Sequence, residues 1–259
     1  MTATINRLEL ARKLISVVRE AGDIELKYYR EGAEVLDKAD GSPVTLADQE
    51  AEALIFKRLA EIAPGIPVVG EEAVAAGSIP DISSGTFFLV DPLDGTKEFI
   101  TGGGDFTVNI ALMVDFKPVM GIVFTPVSDE LYFGADNKAF MIVKGGAEKA
   151  ITVRAAPAEG LTVVASKRHG DPERLEEFLK GKKVGALFNR SSSLKFCAIA
   201  AGDADVYPRL GPTCEWDTAA GDAVLRAAGG SVTTLDGKPL LYGKTEKKFL
   251  NPEFVAFAP

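Results

Sequence analysis

Residues 87–96 read FFLVDPLDGT, and this stretch decides how the rest of the sequence is interpreted. Four apolar residues predict a buried strand, and two carboxylates, Asp91 and Asp94, follow where the strand ends. Two carboxylates this close repel each other when both are ionised, unless a cation lies between them. Hard oxygen ligands favour Mg²⁺, Mn²⁺ or Ca²⁺ over zinc. The alternative is an ordinary turn, because Asp, Pro and Gly are also turn residues.

Two more acidic segments lie on either side of this stretch. Upstream, VVGEE places Glu71 and Glu72 after another apolar run, so that carboxylates follow a second predicted strand. Downstream, CEWDTAAGDAV places Asp217 at the start of an Ala-rich helix, where the alternative is an acid that the helix dipole favours. Three acidic clusters in one chain match the carboxylate-rich demand of a two-metal phosphoryl-transfer site.

The composition excludes several classes of protein. The 259 residues are 46% apolar and 25% charged, as in a soluble globular protein, and the net charge of -8 argues against binding to a nucleic-acid backbone. A single histidine, His169, excludes multi-histidine zinc sites. Two cysteines, Cys197 and Cys214, are too few for thiol-rich metal sites and argue against a disulfide scaffold. Catalysis must therefore depend mainly on carboxylates.

The pattern of apolar residues changes halfway along the chain. It predicts a helix over residues 5–29 and a second helix that Thr45 caps and that runs to Pro64 and Gly65. Short strands that suggest an antiparallel sheet follow, over residues 66–69, 86–91, 107–114, 119–127, 130–133 and 139–143. After Gly145 and Gly146, strands over 161–165 and 184–188 alternate with helices over 171–180, 192–201 and 216–228. We therefore predict an α+β subdomain over residues 1–150 and an α/β subdomain over 151–259, tightly packed, with a site between them.

The motifs resemble those of a known family. The ordered set GEE, DPLDGT and WDTAAGD resembles the inositol monophosphatase superfamily of metal-dependent, lithium-sensitive phosphatases. The segments DPLDGTKEF, TVNIAL, SSLKFC, ADVYPR-x-GPT and FLNPEF are similar to its CysQ-like 3'(2'),5'-bisphosphate nucleotidase branch. The resemblance implies a layered α/β/α/β/α sugar-phosphatase-type fold. It also implies hydrolysis of 3'-phosphoadenosine 5'-phosphate to AMP and phosphate by metal-activated water, linked to sulfate assimilation.

The resemblance also assigns metal ligands. Glu71, Asp91 and the backbone carbonyl of Leu93 would hold one Mg²⁺, while Asp91, Asp94 and Asp217 would hold a second. A third, weaker ion is expected near Glu71, and Mn²⁺ is a candidate substitute. Most ligands thus come from residues 1–150, and the last ligand comes from the substrate side, residues 151–259. Hydrolysis would be direct, without a phosphoenzyme.

Catalytic roles follow from the same resemblance. The threonine after Asp-Gly and the aspartate of a VTxxD segment, here Thr96 and Asp48 together with Thr45, would orient and deprotonate the attacking water. Glu71 is the third residue to which we assign a catalytic role. The alternative for the Thr45 and Asp48 pair is a capping box that only stabilises a helix.

Substrate contacts are implied for seven residues: Gly95, Thr96, His169, Ser192, Lys195, Arg209 and Asp217. A phosphate-bearing substrate needs cationic partners in an acidic protein, and the start of the helix at Ser192 is expected to offer free backbone N–H groups as well. The alternatives are a solvated loop position for His169 and, for Lys195, a stem that packs on a helix surface while the amine reaches water.

Other functions compete with this hypothesis. Phosphatases of the haloacid dehalogenase type carry DxDGT, with carboxylates two residues apart, whereas Asp91 and Asp94 are three apart, which makes Asp91 a poor nucleophile. Within the superfamily, activity on inositol monophosphate or fructose 1,6-bisphosphate would use the same metal site. A non-catalytic protein that binds a phosphorylated ligand is the further alternative, although no expected ligand is replaced by Lys, Asn or Ala.

The expected partner is a small-molecule phosphate ester, with adenosine bisphosphate first, and no nucleic acid. No integral membrane segment is expected, because no apolar stretch approaches the length that spans a bilayer. The predicted location is the cytoplasm, with peripheral association at the cytoplasmic face of the inner membrane left open. A homodimer is also left open.

Overall fold

The computed structural model describes residues 6–32, 35–37, 43–166 and 171–259. Helix α1 (Arg7–Glu31) ends at Gly32, whose φ of 83° is left-handed and suits glycine. Helix α2 (Leu46–Ile62) begins after Thr45, and Thr45 and Asp48 form a capping box. Both helices agree with the apolar spacing of the sequence. None of the described helices is both long enough and apolar enough to span a bilayer.

A seven-stranded sheet follows a short antiparallel ribbon. The ribbon is formed by β1 (Val35–Asp37) and β2 (Pro43–Thr45). The strands of the sheet, in their spatial order, are β3 (Val68–Gly70), β4 (Phe87–Asp94), β5 (Thr107–Val114), β6 (Lys117–Thr125), β7 (Glu130–Ala135), β8 (Lys138–Val143) and β9 (Lys149–Ile151). Two short helices, α3 (Glu71–Ala75) and α4 (Thr96–Ile100), follow β3 and β4.

The prediction of an antiparallel sheet is right for β4 to β8 and wrong for β3. Strand β3 pairs with β4 in parallel, with Val69 beside Leu89. The physical reason is the connection between the two strands. Helix α3 and residues 76–86 separate them, which lets β4 enter the sheet in the same direction as β3, whereas a tight turn would reverse the chain.

Strand β4 is buried from Phe87 to Leu93, and only its last residue, Asp94, is partly exposed. Residues 87–90 pack alternately into cores on the two sides of the sheet, which explains the continuous apolar run. The register with β5 pairs Asp91 with Asn109 and then Asp94 with Thr107, so the pairing shifts between the two aspartates. A bulge of this kind bends the strand and changes the direction of the side chains at its end.

The second sheet has five strands, in the order β11, β10, β12, β14, β13. Their bounds are β10 (Leu161–Ser166), β11 (Val184–Arg190), β12 (Val206–Arg209), β13 (Ser231–Thr234) and β14 (Phe254–Phe257). The helices of this half are α5 (Pro172–Leu179), α6 (Leu194–Ala200) and α7 (Trp216–Ala227). The predicted strands and helices are present, while the short helices α3 and α4 and six strands were not predicted: β1, β2, β9, β12, β13 and β14.

The elements stack in the expected order of layers, α/β/α/β/α. Helices α1 and α2 pack on one face of the seven-stranded sheet, and α7 packs on its other face. Helices α6 and α7 also contact the five-stranded sheet, so that they form the central layer. Helix α5 lies on the outer side, beside Leu187 of β11. The division into subdomains at residue 150 stays a prediction.

Candidate active site

A cleft opens where β4 ends, between the seven-stranded sheet and the central helices. Its cavity measures about 270 Å³. The predicted site residues that line it are Glu71, Asp91, Leu93, Asp94, Gly95, Thr96, Ser192, Lys195, Arg209 and Asp217. Asp48 contacts the cleft through Thr96. His169 lies outside the described residues.

Three carboxylates meet in this cleft. Glu71 is the first residue of α3, Asp91 lies in β4, and Asp217 is in the first turn of α7. One carboxylate oxygen of each lies within 4.8 Å of the other two. Since like charges at this separation repel, a cation between them would relieve the repulsion. The three segments that the sequence singled out as acidic are thus brought together by the fold.

Asp94 faces the same cleft with one oxygen held in place. The backbone N–H of Ser193 donates to its Oδ2 at 2.8 Å, and the amide of Asn109 is 3.4 Å from the same atom. Burial, and next the negative charge of Asp217, raise the pKa of Asp94 to about 7, although Lys195 acts in the opposite direction. Both hydrogen bonds from described residues end on Oδ2, which leaves Oδ1 for a ligand.

Asp217 is held in the same manner. Its Oδ2 accepts from the hydroxyl of Thr213 at 2.5 Å and from the backbone N–H of Cys214 at 2.8 Å. The position in the first turn of α7 also suits a negative charge, because the helix dipole is positive there. Asp217 can therefore both stabilise the start of α7 and bind a cation, because its Oδ1 receives none of these hydrogen bonds.

The donor set fits a hard divalent cation. It consists of the carboxylates of Glu71, Asp91, Asp94 and Asp217 and the carbonyl of Leu93, with no sulfur or imidazole among the described lining residues. Oxygen-only sites of this kind suit Mg²⁺, Mn²⁺ and Ca²⁺. The carboxylates of this cluster repel one another, and a divalent cation bound between them would offset that repulsion.

Thr96 and Asp48 form a pair at the edge of the cleft. The hydroxyl of Thr96 is 3.3 Å from Asp48 Oδ1 and 3.3 Å from the carbonyl of Leu93. Asp48 Oδ2 accepts from both the N–H and the hydroxyl of Thr45 at 2.7 Å. The capping box therefore uses one oxygen of the Asp48 carboxylate, and the other contacts Thr96. Helix stabilisation alone does not account for this geometry.

Gly95 connects Asp94 to Thr96 in a conformation that excludes other residues. Its φ of 104° lies in the left-handed region, and a Cβ at this position would lie 2.5 Å from Ser192 Oγ. Any side chain would therefore push the loop of Ser192 away from the end of β4. The glycine allows the two halves of the cleft to approach each other.

Lys195 is buried, which contradicts the alternative of a lysine that reaches into water. Its side chain is 4% exposed, and Nζ donates to the carbonyl of Ser192 at 2.6 Å and lies 5.2 Å from the ring centre of Tyr207. Burial lowers the pKa of Lys195 to about 8, while the nearby Asp94 opposes the shift. The amine therefore lines the cleft close to the acids.

Arg209 supplies a second cation at the end of β12. It is 8% exposed and donates through Nε to the carbonyl of Gly211 at 3.2 Å and through Nη2 to the carbonyl of Pro212. These bonds fix the guanidinium against the wall of the cleft. A buried, oriented guanidinium suits a phosphate, with which it can form paired hydrogen bonds.

The expectation of free N–H groups at the Ser192 helix is wrong at Ser193. The helix begins at Leu194, and Ser192 precedes it with a left-handed φ of 53°. The N–H of Ser193 is already bound by Asp94. The Ser192 hydroxyl lies 2.7 Å from the carbonyl of Asp94 and 2.9 Å from that of Asp105, so its contacts are with backbone.

Sequence reasoning missed several residues at the site. Glu98, which lines the cleft and is 6% exposed, accepts from the Ser191 hydroxyl at 3.2 Å. Ser193 and Asn109 bind Asp94. The available signals were a polar residue inside the apolar run TVNIAL and three consecutive serines before LKFC. Neither signal says which distant residue is the partner.

The layered fold and the acid cluster beside two buried cations define a metal-dependent phosphatase, and the comparison with protein families agrees. The model of the inositol monophosphatase family matches residues 4–253, and the chain belongs to this family. It falls in the CysQ-like branch. It is 44% identical over 244 residues to "3'(2'),5'-bisphosphate nucleotidase CysQ" of Shigella flexneri, covering 93% of this chain and 97% of the relative. The family implies dependence on a divalent metal.

Solved structures show the same relationship. The structure of CysQ from Bacteroides thetaiotaomicron superposes with a TM-score of 0.80 at 36% identity and covers 98% of both chains. An inositol monophosphatase from Zymomonas mobilis gives a TM-score of 0.76 at 26% identity, with 99% of this chain and 94% of that chain covered. The fold is therefore shared by both kinds of phosphatase.

Proposed function

We propose that this protein is a Mg²⁺-dependent 3'(2'),5'-bisphosphate nucleotidase that hydrolyses 3'-phosphoadenosine 5'-phosphate to AMP and phosphate. The observation that carries the proposal is the cleft in which Glu71, Asp91 and Asp217 converge and which the buried cations Lys195 and Arg209 also line. The relatives named CysQ support the choice of substrate. Through them the proposal links the reaction to sulfate assimilation.

The proposed ligands of the metal ions are all on the cleft wall. Glu71, Asp91 and the Leu93 carbonyl would hold one Mg²⁺, and Asp91, Asp94 and Asp217 the second, with a weaker third ion near Glu71 and Mn²⁺ as a substitute. When bound, such ions supply Lewis acidity toward water and the phosphate oxygens. Glu71 has its catalytic role as a ligand in this arrangement.

Thr96 and Asp48 are the groups that we assign to the attacking water. Because the Thr96 hydroxyl donates to Asp48 Oδ1, its oxygen can accept a hydrogen bond from water. As the water attacks the phosphorus, its proton moves to the Thr96 oxygen and the hydroxyl proton moves to Asp48. The bond between the phosphorus and the ester oxygen breaks, and that oxygen takes a proton from solvent water, which leaves AMP and phosphate. Asp48 stays in place during the transfer because Thr45 holds its other oxygen with two hydrogen bonds.

The two buried cations favour a substrate with a second phosphate. The acids of the metal site would engage the ester that is cleaved, whereas Lys195 and Arg209 provide positive charge for another anionic group. An inositol monophosphate has no such group. Fructose 1,6-bisphosphate also has a second phosphate, so the two cations do not distinguish it from the nucleotide. The names of the relatives favour the nucleotide over this sugar phosphate. Contacts through Gly95, Ser192 and His169, a homodimer and a cytoplasmic location stay predictions.

The test is phosphate release from 3'-phosphoadenosine 5'-phosphate, inositol 1-phosphate and fructose 1,6-bisphosphate, each with Mg²⁺ and with EDTA. We expect the nucleotide to be preferred, and Li⁺ to inhibit at Mg²⁺ levels that support activity. Asp94→Asn removes a ligand charge worth several kcal/mol, so it should lower kcat/KM about 100-fold or more. Asp23→Asn, which changes an exposed aspartate of α1, is the matched control.

Preference for a sugar or inositol ester would keep the metal site and contradict the assigned substrate. No Mg²⁺-dependent release from any of the three esters would contradict phosphatase activity and favour the alternative of a protein that only binds a phosphorylated ligand. Turnover by Asp94→Asn at the wild-type rate would contradict the assignment of Asp94 as a ligand.

A further inference from the structure

Ser193 is bonded to both of the aspartates that come from opposite sides of the cleft. Its backbone N–H donates to Asp94 Oδ2 at 2.8 Å, and its hydroxyl donates to the backbone carbonyl of Asp217 at 2.8 Å. The residue has no exposed surface. Asp94 ends a strand of the seven-stranded sheet and Asp217 lies in the first turn of α7, so one residue connects two segments that are far apart in sequence.

The turn before Ser193 is built to place its N–H against Asp94. Ser192 adopts a left-handed φ of 53°, and its hydroxyl contacts the carbonyls of Asp94 and Asp105. This close approach is possible because Gly95 has no Cβ. The Ser193 N–H is therefore held against Asp94 by contacts to the peptide of Asp94 itself.

The bond from the Ser193 N–H helps to determine which carboxylate oxygen of Asp94 remains for a cation. Ser193 and Asn109 both bind Oδ2 of Asp94. The Asp217 carbonyl lies in the first turn of α7, and the hydroxyl of Ser193 fixes that turn relative to Asp94. The two carboxylates repel each other, so without such a connection they would move apart when no cation is bound.

We infer that Ser193 is a positioning residue of the metal centre: its N–H holds the carboxylate of Asp94, and its hydroxyl holds the first turn of α7, which carries Asp217, before a cation binds. The inference rests on the proposed metal site. Residues that orient ligands typically change metal affinity 10- to 100-fold when they are replaced. Ser193 would act through Asp94 and Asp217 and would touch neither the cation nor the substrate.

The experiment is calorimetric titration of metal-free protein with Mg²⁺, and with Mn²⁺ where Mg²⁺ binds weakly. Ser193→Ala keeps the N–H and removes the hydroxyl, and we expect about 10- to 100-fold weaker binding. Ser193→Thr keeps the hydroxyl and should restore most of the affinity. Ser193→Cys, which has a weak donor of similar size, should fall between and covers the case in which the extra methyl group of threonine prevents folding.

Thr125→Val is the matched control, because it also removes a buried hydroxyl near a backbone carbonyl, that of Gly104 at 3.4 Å, outside the cleft. We expect its cation affinity to stay within twofold of the wild type. Thermal unfolding of every variant without metal verifies that each is folded. A general loss of stability would affect Thr125→Val and Ser193→Ala alike, whereas a positioning role affects cation binding only in the latter.

Wild-type affinity in Ser193→Ala would overturn the inference. Equal weakening in the Ala, Cys and Thr variants would also overturn it, since packing and not the hydroxyl would then be responsible. The titration needs no substrate, so a wild type that binds Mg²⁺ but hydrolyses none of the esters contradicts the proposed function alone. A wild type that binds neither Mg²⁺ nor Mn²⁺ overturns the inference.

Discussion

The carboxyl group of Glu25 lies in the packed face of α1, with no exposed surface and no hydrogen-bond partner among the described residues for either oxygen. Burial, and next the negative charge of Asp48, raise the pKa of Glu25 well above 4.5. The folded protein therefore holds this proton over a pH range in which the unfolded chain has released it. In that range, Glu25 lowers the stability of the fold as pH rises.

Glu25→Gln should stabilise the protein at neutral and higher pH. Glutamine cannot ionise, so the variant loses the penalty that begins near pH 4.5 and grows until the pKa of the folded state. The difference in Tm between variant and wild type should be smallest near pH 4.5 and increase toward pH 8, by about 2–4 °C for each kcal/mol. Thermal unfolding at a series of pH values measures it.

Glu176→Gln is the control for this change, because Glu176 is an exposed residue of α5. Its Tm should follow that of the wild type at every pH. A constant difference between Glu25→Gln and the wild type across the series would show that ionisation of Glu25 is not the cause.

At the residue scale, many of the residues that line the cleft could be predicted from the sequence, because the acidic residues among them occur in short, ordered motifs. DPLDGT and WDTAAGD could be read without knowing the fold. The roles of Ser193 and Asn109 could not, because they depend on hydrogen bonds to Asp94 across the cleft and across a strand pair. For Asp48, spacing showed the capping box, and only the fold showed the contact with Thr96.

At the scale of elements, the position of α7 is set by glycines in the sheet below it. A Cβ on Gly121 of β6 would collide with the carbonyl of Ala220, and a Cβ on Gly134 of β7 would lie 2.7 Å from the Cβ of Ala227. Helix α7 can therefore approach the sheet closely along its length. Because α7 carries Asp217, this approach also positions a metal ligand.

Gly121→Ala should weaken both the fold and the metal site. The added methyl group meets backbone atoms that cannot move without shifting α7, and overpacking of this kind costs about 1–3 kcal/mol. Denaturant unfolding should report that loss of stability, and Mg²⁺ titration should report weaker binding as Asp217 moves. Gly104→Ala is the control, because its nearest neighbour is the exposed side chain of Val127, which can rotate away.

If Gly121→Ala lost stability but bound Mg²⁺ with wild-type affinity, the packing of α7 would not control the position of Asp217. If Gly104→Ala were as unstable as Gly121→Ala, the close approach of α7 would not be the cause.

Some elements were readable from the sequence and others were not. Strand β5 has the predicted bounds, Thr107–Val114, because a mostly apolar run follows the glycines of residues 102–104 and ends at Asp115. Strand β12 contains Pro208, which argues against a strand in the middle of a sheet. The ladder tolerates Pro208 because β10 pairs with β12 only at Val206, and Pro208 pairs with Val255 of β14. Because this pairing depends on how the strands of the whole sheet are arranged, β12 could not be predicted from its own residues.

At the scale of the whole molecule, the candidate ligands join two layers. Asp91 and Asp94 belong to the seven-stranded sheet, and Asp217 belongs to the central helical layer. A divalent cation held by both would oppose their separation on unfolding. The order of the layers was implied by family resemblance, since periodicity along the chain says which residues are buried but not which faces meet.

Mg²⁺ should therefore raise the Tm of the protein relative to EDTA. A ligand that binds only the folded state at 100 times its Kd adds about 2.7 kcal/mol, which corresponds to a shift of about 5–11 °C. The shift should be smaller for Asp94→Asn than for Asp23→Asn. Thermal scans with Mg²⁺ and with EDTA measure it, and equal Tm values for the wild type in saturating Mg²⁺ and in EDTA would show that the acid cluster does not hold this ion.

The burial of α7 between the two sheets also has a consequence for the synthesis of the chain on the ribosome. The seven-stranded sheet is complete when Ile151 has been added, but the helix that covers one of its faces ends only at Ala227. At about 5–20 residues per second, a ribosome needs roughly 4–15 s to synthesise the segment between them. During this interval the nascent chain presents an apolar sheet face that its own sequence cannot yet cover. This is the stage at which we expect the growing protein to aggregate most readily and to depend most on chaperones.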